Sequence, residues 1–341
     1  MNNLGMFSGQ HVAIGVSVLR GTVVESRHEV EAVIATATGQ IVASWGYDEK
    51  RLVPLRSTAK LAQALPVLES GAARQFDLNA SQLAIMCASH RGHESHIDVL
   101  VSLFSKLNVA GEETLVLPPS RPLDVAAADA RLRNGQSFTR LCHMCAGNHA
   151  AFICSALHAH EPVHGYHDAG HPAQQRARDA IATMVGMLPQ QMHLVPDGCG
   201  IPSYAVPLAA IAAMAARIAN PASLPEPRRE AVEVLYRAAQ LHPDLLSAHD
   251  TAEAAILALG RGDFYVKGGA EGVILLADRN SGYGLALKCR DGETRGTLAA
   301  LGAFVGALCE LAPGHALWHK TQPPVMNALG QQVGTIFVEG L

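Results

Sequence analysis

The sequence has little charge, few aromatic residues and no long apolar run. Only 16% of its 341 residues are Asp, Glu, Lys or Arg, and 5% are aromatic. A net charge of -4 without any basic run argues against a nucleic-acid-binding protein. The most apolar helical pattern, residues 204–218, contains Pro207 and Arg217 and is too short to span a bilayer. We therefore expect no nucleic-acid partner and no membrane anchor.

Signals of export are missing as well. Residues 1–10 have neither a positively charged segment nor a long apolar one, so we expect no signal peptide. The seven cysteines are an odd number, and 49% of the residues are hydrophobic, which gives a core that does not need disulfides. Free thiols in such a core are typical of a reducing compartment. We therefore predict a cytoplasmic protein.

Strand patterns stand at both ends of the chain. β-Branched runs separated by turn residues predict strands within residues 11–46 and again within residues 264–289. Between them lie helical patterns, among them residues 57–72 and 203–219. This order predicts a single α+β domain over residues 1–341. Its sheet would be mainly antiparallel and built from the N- and C-terminal strands, with a helical middle.

A serine and a lysine stand three residues apart at the start of the first predicted helix. On a helix, positions i and i+3 share a face, so the Ser57 hydroxyl and the Lys60 amine can meet. Serine becomes a nucleophile when a base takes its proton, and lysine is such a base when burial or a neighbouring cation lowers its pKa. The structural alternative is an N-cap serine followed by a solvated lysine.

Two further residues fit the same chemistry. Ser89 follows a short apolar run and opens a polar loop; its structural alternative is a turn or a helix cap. Lys267 ends an apolar strand before paired glycines, which permit close approach of another group, so its position is typical of a cleft. The alternative for Lys267 is an edge-strand lysine.

Cysteine and histidine are concentrated in one loop. Cys142, Cys145 and His149 have ligand types and spacings that suit zinc, and Cys199 stands in a later glycine-rich loop. The second C-x2-C pair of a four-cysteine structural site is missing from the sequence. Buried thiols without a metal are therefore the alternative.

Taken in order, these motifs resemble the rhizobial-type (class 3, asparaginase II-like) L-asparaginase family. Several separated motifs in one order are more specific than any one of them. The matching segments are residues 20–21, 24–26 with 28, 56–60, 63–66, 69–72, 88–90 with 92 and 96, 145–147 with 149–150, 197–202, 267–273, and 286–288 with 291–292.

The resemblance implies a fold similar to the serine β-lactamases and penicillin-binding proteins. It implies hydrolysis of L-asparagine to L-aspartate and ammonia, without an organic cofactor, by a homodimer. It also implies two Ser-Lys tandems, Ser57 with Lys60 and Ser89 with Lys267. In the expected mechanism Ser57 attacks the side-chain amide, Lys60 takes its proton, and Ser89 relays a proton to the departing ammonia. The two serines could exchange these roles.

The family's zinc ligands are two cysteines and a lysine. The cysteines correspond to Cys145 and Cys199, but the lysine position is occupied by Asn148. An amide lacks the free amine lone pair of lysine, and its oxygen is a harder ligand. Either zinc binds less tightly here, or a neighbour such as Cys142, His143 or His149 replaces the lysine, or the site is empty. The loop after Ser89 departs too, with Arg91 and His93 in place of a small or hydroxyl residue and an acidic one.

The expected substrate contacts come from three residues. Arg56 would pair with the substrate α-carboxylate, because a guanidinium fork suits a carboxylate. Asp197 would hold the α-ammonium or orient His149, which belongs to the same predicted pocket.

Two alternatives to an L-asparaginase stay open on the sequence. Residues 247–249, ahead of Asp250, depart from the family pattern, as do Arg91 and His93. These changes would suit a related amidase with another substrate, or a non-catalytic protein that binds an amino acid or a metal. A β-lactamase is less compatible, since neither Ser-Asp-Asn nor Lys-Thr-Gly occurs.

Overall fold

The computed structural model describes residues 3–341, which contain eleven strands and fourteen helices. The strands are β1 (Ile14–Arg20), β2 (Val23–Ala35), β3 (Ile41–Trp45), β4 (Leu52–Pro54), β5 (His193–Pro196), β6 (Pro202–Pro207), β7 (Phe264–Gly269), β8 (Val273–Asp278), β9 (Tyr283–Cys289), β10 (Val325–Met326) and β11 (Gln332–Glu339). The helices are α1 (Lys60–Glu69), α2 (Ala72–Gln75), α3 (Ala80–Met86), α4 (Glu94–Lys106), α5 (Gly111–Thr114), α6 (Val125–Arg133), α7 (Ala146–His158), α8 (Pro172–Val185), α9 (Leu208–Ala219), α10 (Arg228–Leu241), α11 (Pro243–Leu246), α12 (Ala252–Leu259), α13 (Thr294–Leu308) and α14 (Ala316–Thr321). Within the described range, no helix combines the length and the apolar character needed to cross a membrane.

The chain divides into two compact units. Unit 1 contains the residues up to Thr58 together with Ala205–Ser223 and Thr251–Leu341. Unit 2 contains Ala59–Tyr204 and Leu224–Asp250, so in sequence it forms two insertions into unit 1. The single domain over residues 1–341 stays a prediction.

Unit 1 is built on an eight-stranded sheet in which neighbouring strands pair antiparallel. The strand order is β10-β11-β1-β2-β9-β8-β7, and β3 also pairs with β2. Strand β11 lies beside β1, with Ile336 opposite Val18. Helices α9 and α13 pack against this sheet. Every residue of β8 is buried, so side chains on both faces of that strand are covered. The α+β class and the mainly antiparallel sheet from both ends of the chain are confirmed.

Unit 2 is helical around α1. Helix α1 contacts α7, α8 and α10, and eight of its ten residues are buried. A helix that is buried nearly all round belongs in the centre of a core. Pro66, predicted to bend or interrupt this helix, lies inside it, and the helix continues to Glu69. Two polar residues of α1 are buried in this core, Gln63 and, at the first position of the helix, Lys60.

The helix predicted over residues 203–219 is wrong at its start. Residues Pro202–Pro207 form strand β6, and α9 begins only at Leu208. The last part of β6 pairs with β4, with Leu52 opposite Pro207. Periodicity alone does not tell whether a short apolar run is a strand or part of a buried helix. The prolines at both ends of this run mark the limits of the strand. Pro207 is tolerated beside the start of α9 because the N–H that proline lacks would have no intrahelical partner at that position.

Candidate active site

A lysine is buried at the start of α1. Only 2% of Lys60 is exposed. Its Nζ donates to Ala88 O at 2.6 Å and lies 3.1 Å from Ser89 Oγ. The same nitrogen is 3.4 Å from Cys145 Sγ. Unit 2 therefore brings a lysine nitrogen, a serine hydroxyl and a thiol to one point in its interior.

Ser89 is held by backbone contacts around the end of α3. Asn79 and Gln82 form a capping box that fixes the start of this helix. The chain leaves the helix after Met86, and the N–H of Ser89 donates to Leu246 O at 2.9 Å. These bonds position Ser89 beside Lys60 independently of the side-chain contact between the two.

The thiols of Cys145 and Cys199 are hydrogen-bonded to each other. This bond holds the pKa of Cys145 well below its usual range, and the nearby Lys60 and His143 lower it further. The same bond, together with burial, raises the pKa of Cys199. The two sulfurs are therefore close neighbours, with Lys60 and His143 beside Cys145.

A tyrosine orients the buried His149 on α7. The Tyr166 hydroxyl lies 2.7 Å from His149 Nδ1. Burial lowers the pKa of His149 to about 3, so the ring is neutral and takes the hydroxyl proton at Nδ1. Asp197 follows β5, and its Oδ1 accepts the N–H of Gly198 at 2.6 Å. Substrate contacts by His149 and Asp197 stay a prediction.

Tyr166→Phe is expected to destabilise the protein by about 1–3 kcal/mol, the cost of leaving buried polar groups unpaired. The Tyr166 hydroxyl also accepts the N–H of Val116 at 3.2 Å, so its loss leaves both His149 Nδ1 and the Val116 N–H without this hydrogen-bond partner. Urea unfolding measures the effect. Tyr204→Phe is the matched control, because Tyr204 is buried in the same unit and makes no hydroxyl hydrogen bond within the described chain. Equal stability of the two variants would contradict the hydrogen bonds assigned to the Tyr166 hydroxyl.

His90 is a buried residue whose importance the sequence analysis missed. It is fully buried, and neither ring nitrogen has a hydrogen-bond partner within residues 3–341. Burial, with His96 and Lys60 nearby, lowers the pKa of His90 well below its ordinary value, so the imidazole is neutral. Its ring stacks on His96 with centroids 5.3 Å apart. The one signal in the sequence is that His90 directly follows Ser89.

In unit 1, Ser57 lies beside the end of β7. A Cβ on Gly269 would lie 3.1 Å from Arg56 Cβ and 3.3 Å from Ser57 N, so glycine permits this approach. Arg56 has φ of 48°, a left-handed conformation that is strained for a residue with a side chain. Lys267, on the same strand, is 3% exposed, and its Nζ donates to Gly268 O at 3.0 Å.

One lysine–serine contact adds to the predicted pairing. Lys60 was expected to act with Ser57, which precedes it by three residues in a 3-10 turn that leads into α1. The contact present is between Lys60 Nζ and Ser89 Oγ, and the pairing of Lys60 with Ser57 stays a prediction. The tandem of Ser89 with Lys267, and the catalytic roles of all four residues, stay predictions.

Comparison with known families gives one match. The sequence model of the L-asparaginase II family covers residues 16–338. The chain belongs to the L-asparaginase II family. No curated protein matches it. Membership of the L-asparaginase II family, expected from the motifs, is thereby confirmed, and it supports an amidohydrolase of L-asparaginase type. The rhizobial-type subclass stays a prediction.

The zinc site expected from the L-asparaginase II resemblance can be compared with the donors present. Cys145 and Cys199 are hydrogen-bonded, and two adjacent sulfurs suit zinc. Asn148, completely buried, uses Nδ2 to donate to Met86 O at 3.4 Å. Its Oδ1 is buried without a hydrogen-bond partner in the described chain, so this oxygen is the atom of Asn148 that fits a metal. The donors fit zinc through two sulfurs and one amide oxygen.

Proposed function

We propose that the chain hydrolyses L-asparagine to L-aspartate and ammonia through an acyl-enzyme, as a rhizobial-type member of the L-asparaginase II family. The observation that carries the proposal is the 3.1 Å contact between Lys60 Nζ and Ser89 Oγ in a buried position. A serine nucleophile requires a base within hydrogen-bond reach, and a neutral lysine amine is such a base. Family membership supplies the amide class of the substrate.

The proposed reaction balances with two serines and one lysine. One serine oxygen bonds to the side-chain carbonyl carbon of asparagine while Lys60 accepts the serine proton. When the carbon–nitrogen bond breaks, the proton returns through the other serine to the leaving nitrogen, which departs as ammonia. Water then hydrolyses the ester. In one assignment Ser57 is the nucleophile and Ser89 the relay; in the other the two exchange roles, and the Lys60–Ser89 contact favours the second.

The remaining proposed roles concern binding. Arg56 would bind the substrate α-carboxylate by a charge-assisted fork, and Asp197 would bind the α-ammonium. Lys267 would support the proton relay. The proposal also includes a homodimer and a cytoplasmic location. Light scattering on the purified chain tests the homodimer.

Zinc is part of the proposal as an accessory group. Cys145 and Cys199 would hold it, with Asn148 Oδ1 as the third protein ligand. Bound there, zinc would neutralise the thiolate charge that faces Lys60. The protein's own contribution is to place the Cys145 sulfur beside that lysine and to exclude water from it.

Ser89→Ala and Ser57→Ala are each expected to reduce ammonia release from L-asparagine by at least about 10²-fold, because each removes a hydroxyl from the proton path. Ser105→Ala, at an exposed position on α4, is the control and should leave the rate unchanged. Trapping the acyl-enzyme on one serine, detected by peptide mass spectrometry, identifies the nucleophile. Near-normal hydrolysis by both alanine variants would refute the proposal.

A related amidase is the second candidate. Arg91 and His93 stand in the loop after Ser89, where they depart from the family pattern. Steady-state rates distinguish an L-asparaginase from a related amidase. They are measured with L-asparagine, L-glutamine and other linear amides, with and without added zinc. A higher kcat/KM for another amide would favour this candidate.

A further inference from the structure

Two histidines and an aspartate meet on the surface of unit 2. The ligand atoms of His93, His249 and Asp250 all lie within 4.8 Å of one another. The rings of His93 and His249 are 5.3 Å apart, centroid to centroid. His93 is partly buried, whereas His249 and Asp250 are exposed. We call these three residues the His93 cluster.

The two segments that carry the His93 cluster are already fixed against each other. His96 Nδ1 accepts the N–H of His93 at 3.1 Å, and its Nε2 lies 3.0 Å from Asp244 O. The N–H of Ser89 donates to Leu246 O at 2.9 Å. The loop before α4 is thus bonded to the segment that ends in His249 and Asp250. A cation would meet ligands that are largely in place, which lowers the cost of binding it.

The charge around the His93 cluster favours a cation. Asp124 Oδ2 lies 3.6 Å from His93 Nε2, just beyond hydrogen-bond distance. Asp124 Oδ1 accepts the N–H of Ala127 at 2.7 Å, which fixes this second carboxylate beside His93. Arg91 is the nearby positive group and acts on Asp124. A carboxylate beside a ligating histidine is a common support for a bound metal.

We propose that His93, His249 and Asp250 bind a divalent first-row transition-metal ion such as Zn²⁺. Two imidazoles and one carboxylate form a borderline donor set that suits zinc and its neighbours rather than calcium or magnesium. Three protein ligands at an exposed position leave further positions to water. The ion would cross-link the loop after Ser89 to the segment that ends at Asp250. The proposal does not depend on the hydrolytic reaction.

A second group of metal-ligand residues in the described chain does not support the same inference. His28, Cys289 and Asp291 in unit 1 also bring their ligand atoms within 4.8 Å. Arg295 donates to His28 Nε2 at 2.9 Å, so His28 must carry its proton on Nδ1, which donates to Asp291. Neither nitrogen of His28 is left with a lone pair for a metal.

Zinc titration by calorimetry tests the His93 cluster. The chelator-treated full chain with Cys145→Ser and Cys199→Ser provides a background in which the cysteine pair cannot bind zinc. We expect one site in this background. Adding His249→Ala or His93→Ala should weaken it by at least about 10- to 100-fold, the loss caused by removing even a supporting group. His193→Ala, an exposed histidine on β5, should change nothing.

Two results would overturn the proposal. One is the absence of zinc binding in the background variant; the other is binding that survives both His93→Ala and His249→Ala. If the double cysteine variant does not fold, the comparison is made in the unmodified chain, where His249→Ala should lower the zinc stoichiometry by one. Cobalt substitution gives an independent readout, since a site without thiolates lacks sulfur-to-metal charge-transfer bands.

Discussion

Lys60→Met is expected to lower kcat/KM for amide hydrolysis by about 10²–10⁴-fold, the contribution of a positioned general base. Methionine has a similar length and no charge, so it can occupy the buried position at the start of α1. The change also leaves the buried Ala88 O without the donor that Lys60 Nζ supplies, which costs about 1–3 kcal/mol of stability. The loss of activity should persist at temperatures where the variant is fully folded. Ammonia release and thermal unfolding measure the two effects.

Lys60→Arg separates proton transfer from charge. Arginine stays protonated and places a positive charge beside Cys145, so it cannot serve as the base. Recovery of activity in Lys60→Arg would show that the charge matters and the proton does not. Lys106→Met on α4, whose Nζ contacts Asp77 at the surface, is the control with the same chemical change.

Gly147→Ala is expected to destabilise the chain by about 1–3 kcal/mol or more and to lower kcat/KM by about 10²-fold. A Cβ on Gly147 would lie 2.0 Å from Ile85 O, so α7 would have to move away from α3. Such overpacking costs stability. Cys145 directly precedes α7 and Ser89 follows α3, so the shift would displace the groups around Lys60. A displacement of about 1 Å is enough for a loss of this size in activity.

The sign of the stability change in Gly147→Ala distinguishes a close contact between helices from an exposed helix position. In an exposed helix, replacing glycine by alanine stabilises by about 1 kcal/mol. Gly170→Ala is the control, because a Cβ there would meet nothing within 4 Å and its φ is not left-handed. Unfolding measurements that show both variants to be equally stable would contradict the close contact between α7 and α3.

The fold was largely predictable because its elements follow simple patterns. Alternating and β-branched runs at both ends of the chain predicted the sheet strands, and 3.6-residue periodicity predicted the middle helices. The miss at Pro202–Pro207 arose because an apolar run of that length is compatible with a strand or a buried helix. Strand β11 was not predicted, since pairing with β1 depends on a contact between distant parts of the chain.

The candidate site was predictable as a set of residues but not as a set of contacts. Motif spacing pointed to Lys60, Ser89 and Cys145, which the structure brings together. It did not indicate that Lys60 contacts Ser89, because that pairing depends on how α1 packs beside the end of α3. His90 gave no signal beyond its position, since burial cannot be read from one histidine in a polar loop.

The pairing of β1 with β11 also bears on how the chain acquires its structure during synthesis. Strand β1 is complete early, but the strand that covers its edge is made only about 300 residues later. At about 5–20 residues per second, that interval is roughly 15–60 s. During this time β1 has an open edge on one side, which is a template for pairing with another chain. An open edge of this kind favours aggregation of incomplete chains, and truncation before β11 would make that exposure permanent.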